Sequence, residues 1–272
     1  MLKRARAGKG RSGLQSAANN PPPPQPPQQP NDGTQEIRDP QDLLEFFKTA
    51  DNAAADNMLQ QWRNEPLDAD GRQQNTDIQR FFNYIGWTSD TPEVLTEKQY
   101  QQALQQAGNP TQFYHSDNPF GGHGAREFAA QFMGSASDFS GNPYRQFVSG
   151  GIHGDGTYFA PSASNSASYG TSQFRGFLNS NAKVIDERTL DSKMAAFERQ
   201  YPAFSRVVNK MTSGYSTVRG GDRSGLKSMF AAMLGYNVIH AYQHHDYHTV
   251  INRSAITVSS KTKRARGGMA NW

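Results

Sequence analysis

A chain of 272 residues without a cysteine can hold one sizeable domain with extensions, but no disulfide, thiolate metal site or thiol nucleophile. No apolar run approaches the roughly 18 residues of a membrane span, and the N-terminus has no export-type apolar core, so the expectation is no membrane partner and a cytoplasmic setting. The formal charge of +4 sits at the ends: Lys3, Arg4, Arg6, Lys9 and Arg11 against Asp32 put +4 on residues 1–33, Lys261, Lys263, Arg264 and Arg266 add +4 after Val258, and residues 34–258 keep −4.

Residues 1–38 join that basic patch to a Pro-rich run (Pro21 to Pro24, Pro26, Pro27, Pro30) and to Gln and Asn. Such a segment buries too little apolar surface to offset its ordering entropy and reads as disordered, with local polyproline II. Asp39 can cap a helix whose first turn suits Pro40. Leu43, Leu44, Phe46, Phe47, Ala50, Leu59 and Trp62 then recur at mostly helical spacing, Ile78, Phe81, Phe82 and Ile85 repeat the pattern as far as Gly86, and Thr96 opens a third helix through Tyr100 and Leu104 to Gly108. Residues 39–108 are thus predicted to be a helical region packed on the domain C-terminal to it, with its aromatics in a core.

From Thr111 the texture changes to short strands among Gly, Ser and Asn: Phe113-Tyr114-His115, Thr157 to Ala160, Phe174 to Leu178 and Lys183 to Ile185. A helix is predicted over Arg126 to Met133, a helical turn before Tyr169, and a long helix over about 189–210. A Gly-rich loop at 214–225, a helix near 226–234 ended by Gly235, and strands at 236–241, 247–251 and 255–258 come next, and 259–272 read as a basic tail. Strands and helices mixed without a regular βαβ alternation argue for an α+β domain over 109–258.

The most informative stretch is GIHGDGTYFAPSASNSASYG, residues 151–170. Gly154 and Gly156 allow close backbone approach, because no Cβ stands in the way. Tyr158 and Tyr169 bracket a run of small hydroxyl residues and could clamp a flat, cationic ring, an attraction of about 0.5–2 kcal/mol. The run Gly154-x-Gly156-x-Tyr158-Phe159-Ala160, then Ser164-x-Ser166-x-x-Tyr169, resembles in register the nicotinamide-binding signature of the ADP-ribosyltransferase fold, in its diphtheria-toxin and poly(ADP-ribose) polymerase branch. The resemblance covers about 112–258 and implies a split β-sheet core carrying an NAD-dependent transferase, flanked here by the N-terminal helical region and disordered basic tails.

The same resemblance assigns roles to particular residues. His115, on the early strand Phe113-Tyr114-His115-Ser116, would bond the adenosine ribose, and the backbone of Ser116, where the family has Gly, would hold the nicotinamide carboxamide. Tyr158 and Tyr169 would sandwich the ring, Gly156 would let the backbone come close, and Ser166 would donate to the carboxamide oxygen. Nicotinamide leaves neutral, so the chemistry needs a fixed anion near the ribose and tight orientation rather than a proton donor. The family places a glutamate at the start of a late strand; here one register puts Asp246 at that position and the other puts Tyr247, and we take Asp246 as the catalytic anion. Ser-Thr-Ser and an acidic residue two before position 246 are absent, His244 standing there, which disfavours arginine as acceptor.

Two other readings are compatible with these residues. His244, Asp246 and His248 would share a strand face and could ligate a divalent ion, although an exposed hairpin rim gives the same cluster, and no metal is expected. The fold could also serve without turnover, in a structural or nucleic-acid-associated protein such as a phage virion component, with the basic tails binding polyanions in a salt-sensitive way. As an enzyme, the chain is expected to be a toxin-like effector that moves ADP-ribose from NAD to a protein or nucleic-acid acceptor, or to water.

Overall fold

The computed structural model describes residues 37, 39–64, 90–117, 129–130, 132–134, 156–170, 172–212, 221–242 and 246–264. Helix α1 (Pro40–Thr49) starts where Asp39 caps it: Gln41 N–H donates to Oδ1 at 2.6 Å, and Asp42 reaches back to the Asp39 N–H at 3.2 Å. Helix α2 (Asn52–Asn64) comes next. Strand β1 (Glu93–Leu95) leads into α3 (Glu97–Gln106), capped by Thr96 and Gln99 in the same reciprocal way. The predicted helix around 78–86 lies outside the described residues, as does most of the one over 126–133, of which 129, 130, 132 and 133 are helical.

The remaining elements are β2 (Phe113–Asp117), β3 (Thr157–Phe159), α4 (Ala163–Ala167), β4 (Ser172–Leu178), β5 (Val184–Asp186), α5 (Glu187–Gln200), α6 (Pro202–Thr212), α7 (Gly221–Met233), β6 (Val238–Ala241), β7 (Tyr247–Val250), β8 (Ile256–Ser259) and β9 (Lys263–Arg264). They build a mixed α+β architecture with two sheets. The first runs β1-β8-β4-β2, with β9 also on β4; the second runs β3-β7-β6-β5. β1–β8 and β5–β6 are parallel and the other pairs antiparallel.

Three expectations are corrected. The long helix over 189–210 is two helices, because Pro202 lacks the N–H a continuous helix needs and pushes Tyr201 to extended backbone (φ −121°, ψ 97°). Helix α7 starts at Gly221, inside the stretch read as a loop; its predicted end is right, since Gly235 at φ +77° closes it with Gly235 N–H on Ala232 O and Tyr236 N–H on Ala231 O. The C-terminal basic segment is not tail throughout, because Lys263 and Arg264 pair with Gln173 and Ser172 of β4.

Helices α1 and α2 do not stand apart from the later elements. Leu43, Phe47, Trp62, Phe204, Phe230 and Ile239 bury in one cluster, which joins these helices to α6, α7 and the second sheet. A second cluster, with Phe113, Phe132, Phe159, Phe174, Val238 and Val258, lies between the two sheets. Tyr100 and Leu104 of α3 pack on Phe177 in a third. The boundary drawn at residue 108 therefore marks a change of sequence texture and not a change of core. Among the described residues no helix is long and apolar enough to cross a membrane.

Candidate functional site

Among the described residues, one bridge joins the two sheets. Tyr114 of β2 exchanges both backbone hydrogen bonds with Ala160, each 2.8 Å, and beyond that pair the strands belong to different sheets. Alternation along an antiparallel strand aims the N–H and C=O of Ser116, two residues on, toward the side that β3 has left. His115 spans the opening: its Nδ1 lies 2.6 Å from the carbonyl oxygen of Tyr158. A carbonyl can only accept, so Nδ1 carries the hydrogen and Nε2 is the acceptor.

The environment of His115 favours that neutral form. Its ring packs on Phe159 and Phe174, with centroids 5.7 and 5.2 Å away. Desolvation pushes its pKa down to about 4, against a smaller opposing effect of the Tyr158 carbonyl. His115 is therefore an uncharged hydrogen-bonding group near neutral pH.

Short helix α4 forms the lid of the opening. Ser162 caps it by accepting from Asn165 N–H at 3.1 Å, and Ser166 turns inward, 2% exposed, to place its hydroxyl 2.5 Å from that of Ser116. Tyr169, just past the helix, is 59% exposed and accepts a hydrogen bond from the Tyr247 phenol at 3.2 Å, the rings meeting edge to face at 5.9 Å. Tyr158 pairs with Thr249 in the β3–β7 ladder, so the period of two puts Tyr158, Thr249 and Tyr247 on one face. Desolvation and the Tyr169 contact push the Tyr247 phenol up to about 12, so it stays neutral.

Gly156 serves a neighbour other than a ligand. A Cβ there would lie 2.6 Å from Val250 O and 2.8 Å from Thr249 Cγ2, so its bareness lets β7 close against β3. Gly154 lies outside the described residues.

The two registers at the acidic position resolve into two different surroundings. Tyr247 reaches the clamp residue Tyr169. Asp246, at φ +58° in the left-handed region, sends its carboxylate to His240 Nε2 at 3.0 Å, with its side chain 54% exposed. His240 stacks on His248 at 4.4 Å and 15°, and His248 packs on Phe113 at 4.2 Å. Phe159, His248, His240 and Asp186 stand in register across the second sheet, on the face opposite Tyr158 and Tyr247. His244 lies outside the described residues, and among those described no group of three metal-ligating side chains converges.

The contacts bring these residues together in pairs: His115 with the Tyr158 carbonyl, Ser116 with Ser166, and Tyr169 with Tyr247, drawn from β2, β3, α4 and β7. Gln173, which sequence reasoning missed, lies across the β2–β4 ladder from Ser116 and donates through Nε2 to Ala163 O at 2.7 Å. A glutamine within a strand carries no spacing signal by which to find it. Chemically, these residues offer hydrogen-bonded phenols at Tyr169 and Tyr247, a buried hydroxyl pair at Ser116 and Ser166, and a neutral imidazole at His115. No family model, curated protein or solved structure matches this chain.

Proposed function

We propose that the protein is an NAD-dependent ADP-ribosyltransferase that seats nicotinamide in the opening between β2 and β3 and passes ADP-ribose to a macromolecular acceptor. The observation that carries this reading is the parting of β2 from β3 directly after the Tyr114–Ala160 pair, which turns the peptide groups of Ser116 toward a slot already holding the Ser166 hydroxyl. A carboxamide needs one donor and one acceptor side by side, and a strand edge supplies that pair. Tyr158 and Tyr169 hold the pyridinium ring, and His115 Nε2 accepts from a ribose hydroxyl. Nicotinamide leaves with the electron pair of its glycosidic bond as the acceptor closes on the ribose carbon.

In this reading Tyr247, bonded to Tyr169, faces the transferred ribose, and its neutral phenol orients rather than supplies charge. Tyr247→Glu is then expected to raise nicotinamide release by about 10²-fold, the scale of one added electrostatic stabiliser, and Asp246→Ala to change it less than about tenfold. The reverse pattern, a loss of about 10²–10³ in Asp246→Ala with no gain in Tyr247→Glu, would return the catalytic role to Asp246.

The neutral phenol also favours a second reading, an NAD-binding protein with little turnover. One experiment separates the two: full-length protein is incubated with NAD labelled in nicotinamide or in adenosine, in the presence of cell extract, beside His115→Ala and Tyr158→Ala. Release of nicotinamide with adenosine label on macromolecules supports transfer, and binding without release supports the second reading. Wild-type protein that fails to bind NAD, or binding untouched by both variants, would overturn both.

A further inference from the structure

The floor of the opening contains a polar atom that the described protein leaves unanswered. Gln173 is fully buried, yet its Oε1 has no hydrogen-bond partner among the described residues. Which end of the amide is the oxygen is decided by chemistry: the other end faces Ala163 O at 2.7 Å, and a carbonyl cannot donate, so that end must be the NH2 group. A flipped amide would set two acceptors against each other and leave the donors idle.

Position adds to this. Gln173 and Ser116 are cross-strand partners, so their side chains leave the sheet on the same face. Ser116 meets Ser166 there, and Gln173 meets the first residue of the same helix, α4. The orphan acceptor thus lies on the face of the first sheet that α4 covers, beside the Ser116–Ser166 hydroxyl pair. Buried acceptors are nearly always satisfied, and those that are not call for an explanation such as a ligand donor.

We infer that Gln173 is a specificity-determining residue of this site, its Oε1 accepting an N–H of the ligand's carboxamide. The inference rests on the proposed NAD reading and deepens it. A carboxamide has two N–H donors and one oxygen with two lone pairs. Ser116 N–H and the Ser166 hydroxyl answer the oxygen, Ser116 C=O answers one N–H, and Gln173 Oε1 answers the second. The carboxamide is then fully paired, and a ring bearing a ketone in its place is not.

The test compares NAD with its 3-acetylpyridine analogue, which replaces only the NH2 by a methyl group, using calorimetric binding to wild-type protein and to Gln173→Met. Wild-type protein is expected to prefer NAD by about 10–100-fold, because the analogue strands a buried acceptor. Gln173→Met should cut that preference about tenfold while its binding of the analogue changes little, whereas a merely structural role would weaken both ligands equally. A second measurement needs no variant: the side-chain Nε2 resonance of Gln173 should shift when nicotinamide is added to wild-type protein and stay in place with 3-acetylpyridine. Equal wild-type affinity for the two dinucleotides, a preference untouched in Gln173→Met, or an unmoved resonance with bound nicotinamide overturns the inference and leaves the NAD reading standing. Wild-type protein that binds neither dinucleotide overturns both.

Discussion

Lowering the pH from 7 to 5 should destabilise this protein through two buried histidines. Burial holds His115 and His248 at pKa values of about 4, against an ordinary 6.5, with the His240 imidazole adding to the depression at His248. Both are neutral in the folded state at pH values where the unfolded chain already binds a proton. Their contribution is therefore complete above pH 6.5, declines as the pH falls toward 4, and levels off below that. Each histidine contributes about 3 kcal/mol across the window, and where both are engaged the slope approaches 2.7 kcal/mol per pH unit, since each pKa unit is worth about 1.4 kcal/mol. A total near 6 kcal/mol is comparable with the whole stability of many domains, about 5–15 kcal/mol, so acid unfolding is expected close to pH 4–5. The assay is urea denaturation at half-unit pH steps, with the histidine Cε1 protons tracked by NMR. His248→Phe, which keeps an aromatic ring against Phe113, should roughly halve the slope. A denaturation midpoint unchanged between pH 7 and 5, or both imidazoles titrating near 6.5, would refute the reasoning.

Two further outcomes rest on a close strand contact and on a buried, hydrogen-bonded guanidinium. Gly156→Ala drives a methyl against Val250 O and the Thr249 methyl at 2.6 and 2.8 Å, so about 1–3 kcal/mol of stability should be lost by calorimetry, with NAD affinity falling as β3 shifts; a variant as stable as wild type would show that β3 and β7 leave room for a side chain. Arg253→Met removes a guanidinium that is 1% exposed and donates to Phe132 O at 2.8 Å and Gly134 O at 2.9 Å; about 3 kcal/mol should be lost in urea titration, and the 132–134 segment should become more accessible to limited proteolysis.

Local chemistry made some elements legible in the sequence and long-range pairing hid others. The caps at Asp39 and Thr96, the terminal Gly235 and the strand at Thr157 announce themselves within four residues, because each works by short-range hydrogen bonding or alternation. Pro202 is equally legible as a break, but the apolar periodicity on either side outweighs it. The short strands β1 and β9 carry little pattern of their own and exist because β8 and β4 offer them an edge. The surroundings of Asp246 and Tyr247 cannot be read from composition, since a shift of one residue exchanges the faces of a strand and only the ladder shows which of them shares a face with Tyr158. The orphan acceptor of Gln173 is invisible for a related reason: a missing partner is a property of the folded chain and not of local sequence.

The docking of Lys263 and Arg264 onto β4 gives the end of the described chain a consequence at the opening itself. Lys263 pairs with the backbone of Gln173, the residue whose amide underlies the slot. A cut after Lys261 would strip that edge, leaving the peptide groups of Gln173 bare to water or to the strand of another molecule, while those of Ser172 still face Asp117 of β2. C-terminal clipping should therefore register as self-association and, on the proposed NAD reading, as weaker binding of nicotinamide.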